Sequence, residues 1–325
     1  MSTTDRNPLV HGSNLEQKEN HRTKYRDTES KKYLQQIRIE YDKWHLANVQ
    51  LIGPTSRPAD NDDEIISKRV ELLLTYKDFV DQQHYAEKFD SRSNLHSSVL
   101  EEFLYYLFRD LVKDFGKNAL IGKSHTFKDI FFVPPKYSEM LKRPYARIEK
   151  KDHDFVIGAT IEASFEAVAP PEEEENLGEI LTVPKEESED YSKVTIIGNT
   201  ETHIFDIPVI VIECKTYLDK TMLESSSRSA EELKARNPNS LYIVLMEWIK
   251  LTSNVNLRKY KIDQIYVLRQ QKNTDREFRY EETYVKNPIN PTVTQHLFYK
   301  VRKHLTMDWT GGIEYGIQRG WLIEE

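Results

Sequence analysis

One cysteine, Cys214, is all that the 325-residue chain contains. That excludes an internal disulfide framework and any metal site built on several thiolates. No apolar run approaches the roughly 20 residues of a membrane-spanning helix. The first thirty residues are polar and mixed in charge, without the apolar stretch of a secretory leader. These absences predict a cytoplasmic protein with no membrane partner. Basic excess is missing too, since the formal net charge is −7. Taken as one number, that charge argues against a nucleic-acid partner.

The charge is segregated, however. Residues 166–190 carry ten acids against the single base Lys185, so the remainder of the chain is slightly basic. Between Lys250 and His304 twelve Lys or Arg stand against five acids, with Tyr260, Tyr266, Tyr280, Tyr284 and Tyr299 interspersed. Cations mixed with aromatics suit a phosphate backbone, and a solvated face has the same signature. Composition therefore permits DNA as a partner without requiring it.

Along the chain, residues 1–30 read as a disordered arm. Residues 31–92 read as a helical N-terminal region, an elaboration or small accessory domain. Helical spacing runs through Tyr33, Leu34, Ile37, Tyr41 and Trp44, and again through Ile65, Ile66, Val70, Leu73 and Leu74. From 95 to about 115, Val99, Leu100, Phe103, Leu104, Leu107 and Leu111 form a broad apolar face, with Asn94 or Ser97 as the expected cap. Short apolar runs at 129–133, 154–165, 207–212, 241–248 and 262–268 predict strands, and 194–197 a return strand. Helices are expected over 219–236 and 292–305, the first ended by Asn237-Pro238. The order is that of an α/β core with a mixed sheet flanked by helices. It would span 93–305, carry an acidic insertion at about 166–192, and leave a tail at 306–325.

Within this core the run Ile207 to Ile212 looks like a strand buried on both faces, with Pro208 tolerated at its start. It ends in Glu213-Cys214-Lys215. Side chains alternate along a strand, so Glu213 and Lys215 project together and Cys214 points away. Such a charged pair at the end of a core strand is costly to desolvate without a task. With a further carboxylate it would hold a hard divalent cation such as magnesium and support phosphodiester hydrolysis. The lysine would position water or stabilise charge, and burial can lower its pKa. Asp206 lies seven residues back on the same strand, ~23 Å away and on the opposite face. Asp154, at the start of another strand, is the partner that fits; Asp152 has the same parity and is its rival.

Asp154 followed by Glu213-x-Lys215 resembles the PD-(D/E)XK nuclease superfamily, although His153 stands where that motif has proline. The longer strings ECKTYLDKTMLESSSRSAEELKARNP and HSSVLEEFLYYLF resemble type II restriction endonucleases of the BbvCI group. That resemblance implies a restriction-endonuclease-like fold. It implies magnesium-dependent cleavage of double-stranded DNA at a short CCTNAGC-like site, with Asp154, Glu213 and Lys215 catalytic. It also implies a metal-binding carboxylate on the preceding helix, Glu101, with Glu102 as the alternate. The implied partners are a second nuclease subunit, in a heterodimer or a homodimer, and a companion DNA methyltransferase. Lys220, Thr221 and Arg228, just past the site, are candidates for DNA contact; a solvated helix surface has the same signature. Two further readings stay open at this point: a structure-specific repair or recombination nuclease, and a non-catalytic DNA-binding subunit.

Overall fold

The computed structural model of the chain describes residues 8–89, 94–140, 145–165, 201–272, 279–309 and 317. Five helices come first: α1 Val10–Glu19, α2 Thr28–Gln50, α3 Asp62–Val80, the short α4 Gln83–Lys88 and α5 Ser98–Lys113. Then follow β1 Ala119–Phe132, the single turn α6 Tyr137–Met140, β2 Ala146–Phe165 and β3 Glu201–Leu218. Helix α7 Lys220–Arg236 leads to β4 Leu241–Ile249 and β5 Gln264–Val267, and α8 Pro291–Thr306 closes the described fold.

The strands form one sheet in the order β1-β2-β3-β4-β5. The first three are antiparallel, whereas β3, β4 and β5 run parallel. A parallel neighbour needs a crossover, and α7 supplies it between β3 and β4. Its N-terminus is fixed by Asp219, whose side chain accepts from the Met222 amide at 2.8 Å.

Helices cover both faces of the sheet. Phe155, Ile157, Ile210, Ile212, Ile243 and Leu245 join a large core with α2, α3, α5 and α8. On the other side Val156, Val211, Tyr242, Val244 and Met246 pack against Leu223, Ala230 and Leu233 of α7. This is why residues 207–212 and 241–248 lack polar alternation: both faces of these strands are buried.

Several local expectations change. Pro208 is not at a strand start, because β3 begins seven residues earlier. It sits opposite Gly158, where the β2–β3 register shifts. A Cβ on Gly158 would lie 2.0 Å from the Ile207 carbonyl oxygen, so only glycine lets the strands meet there. β1 starts ten residues before the expected run, since Gly122, whose φ of 109° suggests a turn, lies inside the strand. Neither Asn94 nor Ser97 caps α5 with its side chain; instead the Ser98 hydroxyl donates back to the Asn94 carbonyl oxygen at 2.7 Å.

The N-terminal region departs most from expectation. From residue 8 onward the supposed arm is ordered, and α1 packs against α5 and α2. His11 and Leu15 are fully buried. Its signal is faint because polar contacts rather than an apolar stripe hold it, as the site below makes plain. The boundary expected near residue 92 does not divide the packing either, since α2, α3, α5 and the sheet share one core. The 194–197 return strand and the acidic insertion at 166–192 lie outside the described residues, as do nearly all of the tail beyond 309 and the first seven residues. No helix among the described residues is long and apolar enough to cross a membrane.

Candidate active site

Strands β2 and β3 stay paired only as far as Phe155 opposite Ile212. Beyond that point the preceding part of β2 pairs with β1 alone, while the remainder of β3 pairs with β4. The two strands therefore fork where Asp154 and Glu213 stand, and the fork opens free backbone groups to side chains. Asp154 fills it: its Oδ2 accepts from the Cys214 amide at 3.0 Å and lies 3.4 Å from Lys215 Nζ. Lys215 Nζ in turn stands 2.9 Å from Glu213 Oε1.

A β-bulge re-aims Asp154. Gly122 opposes Val156 and Ser124 opposes His153, so two β2 residues, Asp154 and Phe155, face the single residue Lys123. Strict alternation would put His153 on the α5 side with Phe155. The extra residue reverses the parity, and His153 packs beside Tyr242 and lines a small cavity with Ser229 and Leu233 of α7. Burial, with Lys151 adding to it, lowers the His153 pKa to about 4, leaving a neutral imidazole on the α7 side of the sheet.

Glu213 is held from the α7 side. Its Oε2 accepts from the Ser226 hydroxyl at 2.8 Å and from the Tyr242 hydroxyl at 2.5 Å. Burial works to raise its pKa, but Lys215 and these donors outweigh it and hold the carboxyl below the usual range. For Lys215 the expected direction is reversed. Burial does oppose its charge, yet Asp154 and Glu213 more than compensate and raise its pKa, so it is a firm ammonium. The Cys214 thiol, fully buried, is pushed far up and stays neutral.

Glu101 and Glu102 on α5 separate cleanly. Glu102 Oε2 accepts from the His11 and Gly12 amides at 2.9 and 3.0 Å, and Oε1 from the Tyr41 and Tyr106 hydroxyls at 3.0 and 2.6 Å. Both of its oxygens are engaged, one by the first turn of α1 and the other by Tyr41 of α2 and Tyr106 of α5, so Glu102 is not available as the alternate metal carboxylate. Glu101 faces the fork. It is 7 % exposed, its Oε2 accepts no hydrogen bond among the described residues, and its partner is Lys123 Nζ at 3.7 Å. Burial, then the Asp154 charge, pushes its pKa up to about 7.

The rivals lie elsewhere. Asp206 accepts from Ser124 at 2.6 Å and Thr160 at 3.0 Å on an unbroken β3. Asp152 is 70 % exposed and pairs with His125. Lys220, Thr221 and Arg228 are solvent-facing on α7, and Lys220 pairs with Glu224 at 3.9 Å. Ser226, Tyr242 and Lys123 were not anticipated from the sequence. Ser226 had a signal, a hydroxyl on the stripe shared with Leu223, Ala230 and Leu233.

Among the described residues no three His, Cys, Asp or Glu side chains converge closely enough to cage a metal. The donor chemistry nevertheless fits a hard divalent cation: three carboxylates edge the fork, and one presents a buried oxygen with no hydrogen bond.

Comparison with known proteins gives the family and the fold. The native BbvCI A2B2 tetramer contains a chain similar in fold, with a TM-score of 0.62 and 18 % identity over 92 % of this chain and 97 % of that one. No curated protein matches by sequence. The family model of the Bpu10I restriction endonuclease matches residues 92–183 and 188–321, well over half of the chain. The chain therefore belongs to the Bpu10I restriction endonuclease family, a family of type II, site-specific deoxyribonucleases.

Proposed function

We propose that the chain is a catalytic subunit that hydrolyses phosphodiester bonds of double-stranded DNA with magnesium, working beside a second, non-identical nuclease subunit. The observation that carries this reading is the fork, where Lys215 touches both Asp154 and Glu213 at the end of a core strand. Asp154, Glu213 and Glu101 would hold the magnesium ion. When bound, it would supply Lewis-acid stabilisation of phosphoryl charge and a more acidic water. Lys215, a permanent cation, orients the attacking water and neutralises charge on the phosphoryl oxygens. It is not a proton acceptor, because its raised pKa keeps it protonated. Tyr242 and Ser226 fix the Glu213 carboxylate, and the Cys214 amide fixes Asp154, so the acids need little reorganisation. Lys220, Thr221 and Arg228 would reach the DNA from α7. A heteromeric partner agrees with the A2B2 composition of the BbvCI structure, and a companion methyltransferase would protect host DNA. In domain terms, residues 93–305 would carry the catalytic core.

Incubation of the purified chain and its companion subunit with plasmid and magnesium should yield discrete fragments, or nicks where only one subunit is active. EDTA should abolish them, as should Asp154→Asn. Cleavage that continues undiminished in EDTA would overturn the reading.

The Glu101 pKa makes a second expectation. A carboxyl raised to about 7 in the fold keeps its proton where the unfolded chain, near 4.5, has lost it. Its contribution to stability is thus present at low pH and lost as pH rises through about 7. Ionised and buried above that pH, it gains most from a cation. Calcium should therefore bind roughly tenfold more tightly at pH 8 than at pH 6, read by calorimetry, with a larger rise in melting temperature at the higher pH. Equal affinity at both would exclude Glu101 as a ligand.

A further inference from the structure

The site holds a second lysine that the roles above leave unused. Lys123 is the one β1 residue that faces the bulged pair Asp154 and Phe155. Its ammonium is 3.7 Å from Glu101, whose carboxylate also feels the charges of Asp154 and Lys215. Gly122 just before it has φ 109°, a backbone conformation that glycine adopts without strain. Lys123 also keeps 48 % of its side chain in solvent, whereas Lys215 keeps 27 %. One lysine is locked between two carboxylates at 2.9 and 3.4 Å, and the other rests against a single one at longer range. They differ, therefore, in freedom to move.

The charges make that freedom useful. Without metal or DNA, three carboxyl groups, Glu101 among them, meet two ammonium groups. A divalent cation bound at Glu101 would repel Lys123, since like charges a few ångströms apart in a partly buried site are unfavourable. A DNA phosphate arriving at the open side of the fork would attract it. We propose that Lys123 is an exchangeable active-site cation: it covers Glu101 while the metal site is empty, and moves to a phosphate oxygen of the DNA when metal and substrate enter. This rests on the proposed roles of Glu101 and of the fork. It adds a residue that touches substrate and that competes with metal beforehand.

Two readouts test it, one of them independent of cleavage. Lys123→Met keeps the length of the side chain without its charge, and Lys123→Arg keeps the charge. Manganese binding to the DNA-free protein, followed by calorimetry, should be about 3- to 10-fold tighter in Lys123→Met, because the competing cation is gone. In magnesium, the single-turnover cleavage rate of Lys123→Met should fall about 10- to 100-fold, the size of one charged hydrogen bond, and Lys123→Arg should recover most of it. Circular dichroism would establish that both variants fold. A cleavage rate within twofold of the parent, or weaker manganese binding in Lys123→Met, would overturn the proposal; weaker binding would make Lys123 a group that merely orients Glu101. Should the parent protein not cleave DNA at all, the nuclease assignment fails, while the manganese comparison still decides whether Lys123 competes for the site.

Discussion

Lys215→Ala should lower the single-turnover cleavage rate by ~10³-fold or more, with DNA binding in calcium changed only a few-fold. Among the described residues, Lys215 is the one side chain that pairs with both Asp154 and Glu213, at 3.4 and 2.9 Å. It holds their two carboxylates together without a metal, and in the proposed mechanism it faces the developing phosphoryl charge. Among the described residues Lys123 is the next ammonium, and it stands against Glu101 at 3.7 Å rather than between Asp154 and Glu213. Lys215→Arg should rescue poorly, since a planar guanidinium cannot enter the space of a compact ammonium seated between two fixed acids. The ground state should respond differently. With the cation gone, two partly buried carboxylates repel each other, so the variant should melt lower without metal and recover on addition of calcium. Rapid-quench cleavage under enzyme excess separates the chemical step from turnover. A rate within tenfold of the parent would remove Lys215 from the catalytic set.

Much of this centre was legible because β-strands obey a short period. The end of an apolar run set Glu213 and Lys215 on one side with Cys214 on the other, and the contacts agree. Distance along the strand removed Asp206, which indeed bonds elsewhere. What stayed hidden depends on contacts across the chain. The bulge that aims Asp154 is a register shift between β1 and β2, and neither strand's residues announce it. Glu101 and Glu102 are adjacent in sequence and both flank the apolar stripe. Only the position of α1 tells them apart, by engaging Glu102 with two amides and leaving Glu101 to the fork. That helix looked like an arm because its anchors, His11 and Gly12, are polar or featureless in sequence. Tyr242 likewise read as one more apolar residue of a buried strand until its hydroxyl met Glu213.

Glu247, in the same strand as Tyr242, predicts the largest effect on stability. It is fully buried, as is Lys77 of α3, and Arg269 beyond β5 is 1 % exposed. Lys77 Nζ stands 2.8 Å from Glu247 Oε1, and Arg269 Nε donates to Oε2 at 3.2 Å. Burial alone would discharge Lys77, but Asp81 and Glu247 outweigh it and raise its pKa. Glu247→Ala would thus remove the buried carboxylate that the two cations share and should cost about 3–5 kcal/mol, a fall in melting temperature of roughly 4–8 °C. Each cation keeps one further carboxylate, Lys77 with Asp81 and Arg269 with Asp78, both at 3.4 Å, and Arg269 also donates to the Asn287 carbonyl oxygen at 2.7 Å. The double variant Lys77→Met/Glu247→Met should therefore regain much of the loss, because apolar residues of similar volume commonly replace a buried pair at little cost. A loss below about 1 kcal/mol in Glu247→Ala would show that water reaches these groups. The consequence reaches the first ninety residues. Lys77 belongs to α3 and Glu247 to the strand beside β3, so a charge network clamps the N-terminal helices to the sheet that carries the fork. Deleting those helices should leave the sheet with Glu247 and Arg269 uncovered, and the remaining chain should fail to fold.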